Sequence, residues 1–243
     1  MVANPIRIVP LRLEAAAPAV TPRLTYRGGP LLRSVKVFLM FWGEAWSQPA
    51  LSPLAGELSG FFDFVLTSSL MDQLSEYDVD GASIGHGSRI GTTVVTSAPD
   101  ASVADSDIQQ MIQDEISSDP AVPQPTPSTL YVVFLPPGVT VGLNGGSSCT
   151  TFCGYHLDIQ GEIFYAVLPY PDCSGCMVGL SVQDALTSVA SHELCEAISD
   201  PVAGQGWYDD RNGEIADICA WKTKQLGQHT VQLEWSNQAN RCL

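Results

Sequence analysis

One pentapeptide, His192-Glu193-Leu194-Cys195-Glu196, places an imidazole and two carboxylates side by side in the chain. On a helix, side chains four apart stand one above the other, so His192 and Glu196 can grip a single metal ion. Glu193, next to them, can then face a water molecule. The chemistry that this set could perform is metal-assisted hydrolysis. The metal polarises a carbonyl and acidifies water, and Glu193 serves as general base.

The element that must carry these residues is a helix with clear ends. Ser181-Val182-Gln183-Asp184 forms a start signal, because Ser181 can accept from a first-turn amide while Asp184 reaches back and favours the helix dipole. Pro201 disfavours helical geometry at the residue before it, so the run should stop at Asp200. Val182, Ala185, Leu186 and Val189 share one face, which continues through Glu193, Glu196, Ala197 and Asp200 with His192 at its margin. Leu194 and Ile198 lie opposite. This half of the helix is therefore expected to be buried all round, and buried acids need a cation, a hydrogen-bond network or a proton.

Elsewhere the pattern predicts a central strand over Val35–Trp42, two helices over Leu54–Leu74 divided at Ser68 and Ser69, and a short strand over Thr92–Ser97. Gly85, Gly87 and Gly91 before it read as backbone flexibility only. An amphipathic helix follows over Asp105–Ile116, capped by Asp105 or Ser106, its acids forming a solvated face. After the proline loop at 120–127 come a strand over Leu130–Leu135, a Gly/Ser-rich loop, a strand over Glu162–Leu168 and a half-exposed strand over Thr230–Trp235. This order describes one α/β (α+β) domain over residues 26–243, a mixed sheet packed with helices, after an N-terminal arm or pro-segment remnant over residues 1–25.

With 11 basic against 26 acidic residues, the formal charge is −15 and the pI near 4.3, which repels phosphate backbones and anionic headgroups. Nucleic acid and membrane surfaces are thus not expected partners. No apolar run is long enough to span a bilayer, and the first 20 residues lack the apolar core of a signal peptide. All seven cysteines lie in the second half. Disulfides in an oxidising compartment are the favoured reading, with Cys219 and Cys242 as one pair and Cys195 as the odd thiol. The rival is a zinc site made by Cys149, Cys153, Cys173 and Cys176, whose spacing metal ribbons also use.

The His192–Glu196 set resembles the active-site helix of the zincins, zinc-dependent peptidases. That resemblance implies a secreted endopeptidase acting on a peptide or protein substrate, with His192 and Glu196 as ligands and Glu193 as general base. Glu196 stands where the zincins usually carry a second histidine; it binds zinc through oxygen and makes the site more acidic. Asp217, and after it Glu214, lie at a separation from Glu196 comparable to that of the third ligand in many zincins of the glutamate class. Tyr208 and His156 are candidate donors to the oxyanion, although such lone residues are more often structural. A calcium ion in the acidic loop of Asp209, Asp210, Asn212 and Glu214 is a separate reading, without the spacing of an EF-hand.

Further motifs widen the likeness: Tyr26-Arg27-Gly28-Gly29-Pro30-Leu31, Leu130 to Pro137, Cys153-Gly154-Tyr155-His156, Tyr165-Ala166-Val167-Leu168-Pro169, and Ser191 to Ala197 with Asp200-Pro201. On these the chain resembles the phosphate-induced (EXORDIUM-like) protein family, in its bacterial and fungal branch with a His-Glu motif. The resemblance implies extracellular residence and a largely uncharacterised biochemistry. It keeps open an alternative function, a non-catalytic extracellular binding or signalling protein whose metal is structural. The sequence leaves the oligomeric state open.

Overall fold

Residues 8–10 and 21–243 are described by a computed structural model, with the side chain of Ile8 left aside. Six strands make the central sheet: β1 (Ile8–Pro10), β2 (Lys36–Trp42), β3 (Ser88–Val95), β4 (Thr129–Phe134), β5 (Phe152–Ile159) and β6 (Ile163–Leu168). Their spatial order is β1-β5-β6-β4-β2-β3. Strands β3, β2, β4 and β6 run parallel, whereas β5 runs antiparallel to β6 and to β1. The expected mixed sheet packed with helices is what the chain forms.

Parallel strands need long crossovers, and those crossovers supply helices on both faces. Alternate residues of β2 accordingly enter two different cores. Val37, Leu39 and Phe41 pack on the face covered by α1 (Ser52–Val65) and by α3 (Val182–Ser199). Phe38, Met40 and Trp42 pack on the other, beneath Ile108, Met111 and Ile112 of α2 (Asp105–Ser118). A fully buried side chain of this kind contributes roughly 1.5–3 kcal/mol relative to leaving it in water. Two-sided burial therefore holds β2 at the centre of the sheet.

Several local expectations need correction. The segment read as a Gly/Ser-rich loop contains β5, because its apolar and polar residues do not alternate cleanly and only its neighbours reveal it as a strand. Gly91 is not a flexibility device; it lies inside β3, where a Cβ would meet the Phe38 ring at 2.6 Å. Asp105 is not on a solvated face. Its Oδ1 accepts from the hydroxyls of Tyr155 and Tyr165, both at 2.8 Å, and so pins α2 to the sheet. The cap of α2 is supplied by Asp107, whose Oδ2 accepts from the Ala104 amide. The strand near the C-terminus is not half-exposed: Thr230, Val231 and Gln232 are buried against α3, and Trp235 belongs to a separate short strand.

Most of the segment read as an N-terminal arm lies outside the described residues. Its residues 8–10 form the edge strand β1, and Trp221 Nε1 donates to Pro10 O at 2.8 Å. Three disulfides close the second half: Cys149–Cys173, Cys153–Cys176 and Cys219–Cys242. The four cysteines with ribbon spacing are therefore paired covalently. Each bridge closes a loop of just over twenty residues, worth roughly 3–4 kcal/mol through the entropy of the unfolded chain. Among the described residues no helix is long and apolar enough to cross a membrane.

Candidate metal centre

Helix α3 begins where the sequence places it, with Ser181 Oγ accepting from the Asp184 amide at 3.1 Å, and it ends before Asp200. Every residue from Ala185 to Ser199 is buried. The sheet strands β5 and β6, helix α1 and the hairpin of β7 (Thr223–Leu226) and β8 (His229–Gln232) surround it. Gly154 lets β5 come close, since a Cβ there would meet Val189 at 2.5 Å and Glu193 Oε1 at 3.0 Å. Two residues on, and so on the same face of β5, His156 is turned toward the helix.

His192 is oriented by β8. Gln232 Nε2 donates to Ala216 O at 2.9 Å, which leaves its Oε1 to accept from the Trp221 amide and from His192 Nδ1 at 3.1 Å. A neutral imidazole then presents the Nε2 lone pair. That nitrogen lies 3.0 Å from Glu196 Oε1 and 4.0 Å from Asp217 Oδ1, yet it makes no hydrogen bond. The Asp217 amide donates to Glu196 Oε1 at 3.0 Å and locks the two acids together. Gly213, with φ +90°, leaves room for the Asp217 carboxylate, which a Cβ at that position would strike. One donor atom each from His192, Glu196 and Asp217 lies within 4.8 Å of the others. Ligand atoms set 2.0–2.2 Å from a tetrahedral zinc stand roughly 3.3 Å apart, so these donors suit one divalent cation after small side-chain shifts.

The second histidine follows the same logic. His156 Nε2 faces the carbonyl oxygen of Asp200 at 3.2 Å, which can only accept, so that nitrogen carries the proton. Nδ1 is left between Glu193 Oε2 at 3.3 Å and Glu196 Oε2 at 3.5 Å. Glu214 Oε1 lies 3.5 Å from Nε2. His192 Nε2, Glu193 Oε1, Glu196 Oε2 and both carboxylate oxygens of Glu214 are buried with no hydrogen-bond partner. A buried polar atom left unpaired costs about 1–3 kcal/mol, and more where the group is charged. Five such atoms in one cluster mark a place where positive charge belongs.

Electrostatics point the same way. Burial alone would lower the pKa of His192, but Glu196, Glu193 and Asp217 outweigh it and push the ring up to about 10. Burial would raise Glu196, but His192 and His156 hold it down at about 2. Burial, reinforced by the Glu196 charge, drives Glu214 well above the carboxylate range. Glu193 is raised by burial against the pull of His156 and His192.

Of the residues anticipated from sequence, the fold gathers His192, Glu193, Glu196, Asp217, His156 and Glu214 around one buried centre. Tyr208 is buried in a short strand beside Thr25–Tyr26, with the Arg27 guanidinium 4.6 Å above its ring. The calcium loop does not converge. Asp209 accepts from the amides of Arg23, Arg211 and Asn212 and from Asn212 Nδ2, Asp210 pairs with Arg27 at the surface, and Glu214 turns inward to His156. Asp200 spends its carboxylate on the amides of Gly204, Gln205 and Gly206 and ends the helix, as its position before Pro201 implied.

Two residues escaped the sequence reading. Gln232 orients His192, and Glu234, fully buried with both oxygens unpartnered, is pushed well above its usual range by burial. Both lie in the segment at 230–235, Gln232 at the end of β8 and Glu234 just beyond it, and polar side chains between Val231, Leu233 and Trp235 are the signal that points inward. Cys195 is the free thiol, buried behind the motif, and burial together with Glu234 pushes it up. No protein-family model, curated protein or solved structure matches the chain, so the motif resemblances carry no family assignment.

Proposed function

We propose that this protein is a zinc-dependent peptidase in which His192, Glu196 and Asp217 hold the metal and Glu193 is the general base. One observation carries the reading: two fully buried donors and the nearly buried Asp217 face a common point, and His192 Nε2 has no hydrogen bond although a carboxylate oxygen lies 3.0 Å away. Zinc bound there would polarise a peptide carbonyl and acidify water. The chain's own residues do the rest. Gln232 fixes the His192 tautomer, the Asp217 amide orients Glu196, and Glu193 takes the proton of the attacking water and passes it to the leaving amine. His156 steadies the Glu193 carboxylate at 3.3 Å. Secretion fits this reading, and the three disulfides support it.

Complete burial of His192, Glu193 and Glu196 favours a second reading, a metal that only stabilises an extracellular binding protein. Hydrolysis requires the segments over the site to open. The two readings separate in one experiment: turnover of a peptide library by the purified chain, abolished by a chelator and restored by zinc, compared with Glu193→Gln at equal zinc content. The peptidase predicts turnover that disappears in the variant. Chelator-sensitive melting without turnover in the wild type would leave the structural metal standing.

A further inference from the structure

A second group of donors shares Glu196 with the first. His156 Nδ1 and carboxylate oxygens of Glu193 and Glu196 also lie within 4.8 Å of one another, and all three residues are at most 1% exposed. Glu196 offers different atoms to the two groups. Its Oε1 faces His192 Nε2 and the Asp217 amide, while its Oε2 faces His156 Nδ1. Side chains from β5 and α3 build the second group, so it is not a duplicate of the helix motif but a product of the packing of strand on helix.

A doubly protonated His156 does not account for this arrangement. Its Nε2 proton goes to the Asp200 carbonyl, and a proton on Nδ1 would serve Glu193 Oε2. Glu193 Oε1, Glu196 Oε2 and both oxygens of Glu214 would still be buried without partners. One divalent cation takes several oxygens at once, where a proton takes one or two. The remaining acid, Glu214, stands on the far side of the His156 ring and favours a basic, metal-binding imidazole, as carboxylates behind ligating histidines do.

We infer that the centre is binuclear: a second divalent cation, zinc or one of similar size, is held by His156, Glu193 and the free oxygen of Glu196, with Glu196 bridging the two ions. This builds on the peptidase reading above and adds a control to it. Two ions bridged by a carboxylate lie roughly 3.5–4 Å apart. Filling the second position occupies the Glu193 carboxylate, so hydrolysis rises as the first ion binds and falls as the second does.

The test uses the whole chain. Crystals of the wild-type protein equilibrated with zinc are measured at the zinc absorption edge, and zinc per chain is counted after equilibration at graded free zinc. Two anomalous peaks on either side of Glu196, and a stoichiometry of two that drops to one in His156→Gln, are expected. A single peak beside His192, or a His156→Gln variant that keeps two zinc ions, overturns the inference while the peptidase reading stands. No peak at all overturns both. Should the variant fail to fold, the wild-type peaks decide alone. Activity of Glu193→Gln equal to wild type would overturn the peptidase and leave the two peaks untouched.

Discussion

Two acidic clusters lie close together in the chain, between Glu193 and Glu214, and have opposite fates. Asp209 and Asp210 occupy a surface turn, where the Asp209 carboxylate accepts four N–H donors and Asp210 meets Arg27. Burial would raise Asp209, but the amides of Arg23, Arg211 and Asn212 hold it below the carboxylate range. Glu193, Glu196 and Glu214 are enclosed, have unpartnered oxygens and meet two imidazoles and a single backbone amide, that of Asp217. Acid count alone does not leave a cluster in need of a cation. What matters is whether the fold has already provided donors for the oxygens.

The widest gap between the clusters should appear in catalysis. Replacing Glu193 by Gln is expected to lower kcat by about 10²–10⁴-fold, the usual worth of a positioned general base, while the ion beside His192 is retained. Asp210→Asn, measured in the same peptide assay, should have no effect. Equal losses in both variants would erase the distinction.

Orientation of the ligand should matter next. Gln232→Leu leaves all the proposed ligands in place but frees the His192 ring, and zinc affinity is expected to fall by about 10–100-fold in a competition titration with a chromogenic chelator. An unchanged affinity would mean that the Gln232 contact is packing alone.

At the surface turn the consequence is reversed. Asp209→Ala removes an acceptor from four donors and is expected to cost about 1–2 kcal/mol, read as a drop in Tm of roughly 2–8 °C, while zinc affinity stays at the wild-type value. Weaker zinc binding in this variant would show that the turn and the buried centre are coupled.

The smallest effect concerns the opposite face of the sheet, where the buried titratable groups are tyrosine hydroxyls. Burial pushes Tyr131 up to about 12, and burial with the Asp105 charge raises Tyr165 and Tyr155 as well. A folded pKa above the unfolded value near 10 means that this stability is complete below pH 10 and is lost as pH rises through about 12. Denaturant melts between pH 9 and pH 12 should show it as a falling midpoint, moved less in Tyr131→Phe.

The motif helix was legible because its signals are local: Ser181 at the start, Pro201 after the end, and a 3.6-residue stripe that turns ionisable halfway along. Strand β2 was legible for a similar reason, its unbroken apolar run needing cover on both faces. Strand β5 was not. Its Phe152-Cys-Gly-Tyr-His sequence follows no period, and pairing with β1 and β6 is what extends it. His156 was therefore noticed only as a lone residue, and Gln232 not at all.

Residue types and their spacing along one helix thus determined by themselves that His192, Glu193 and Glu196 share a buried helix, because a helix relates side chains four apart whatever surrounds it. Only the tertiary structure decided that Asp217 joins His192, that Glu214 and His156 face each other across the centre, and that Asp209 does not take part. These residues come from separate segments, and no local periodicity connects them. Their distances are set by how closely Gly154 lets β5 approach α3 and how Gly213 bends the following loop.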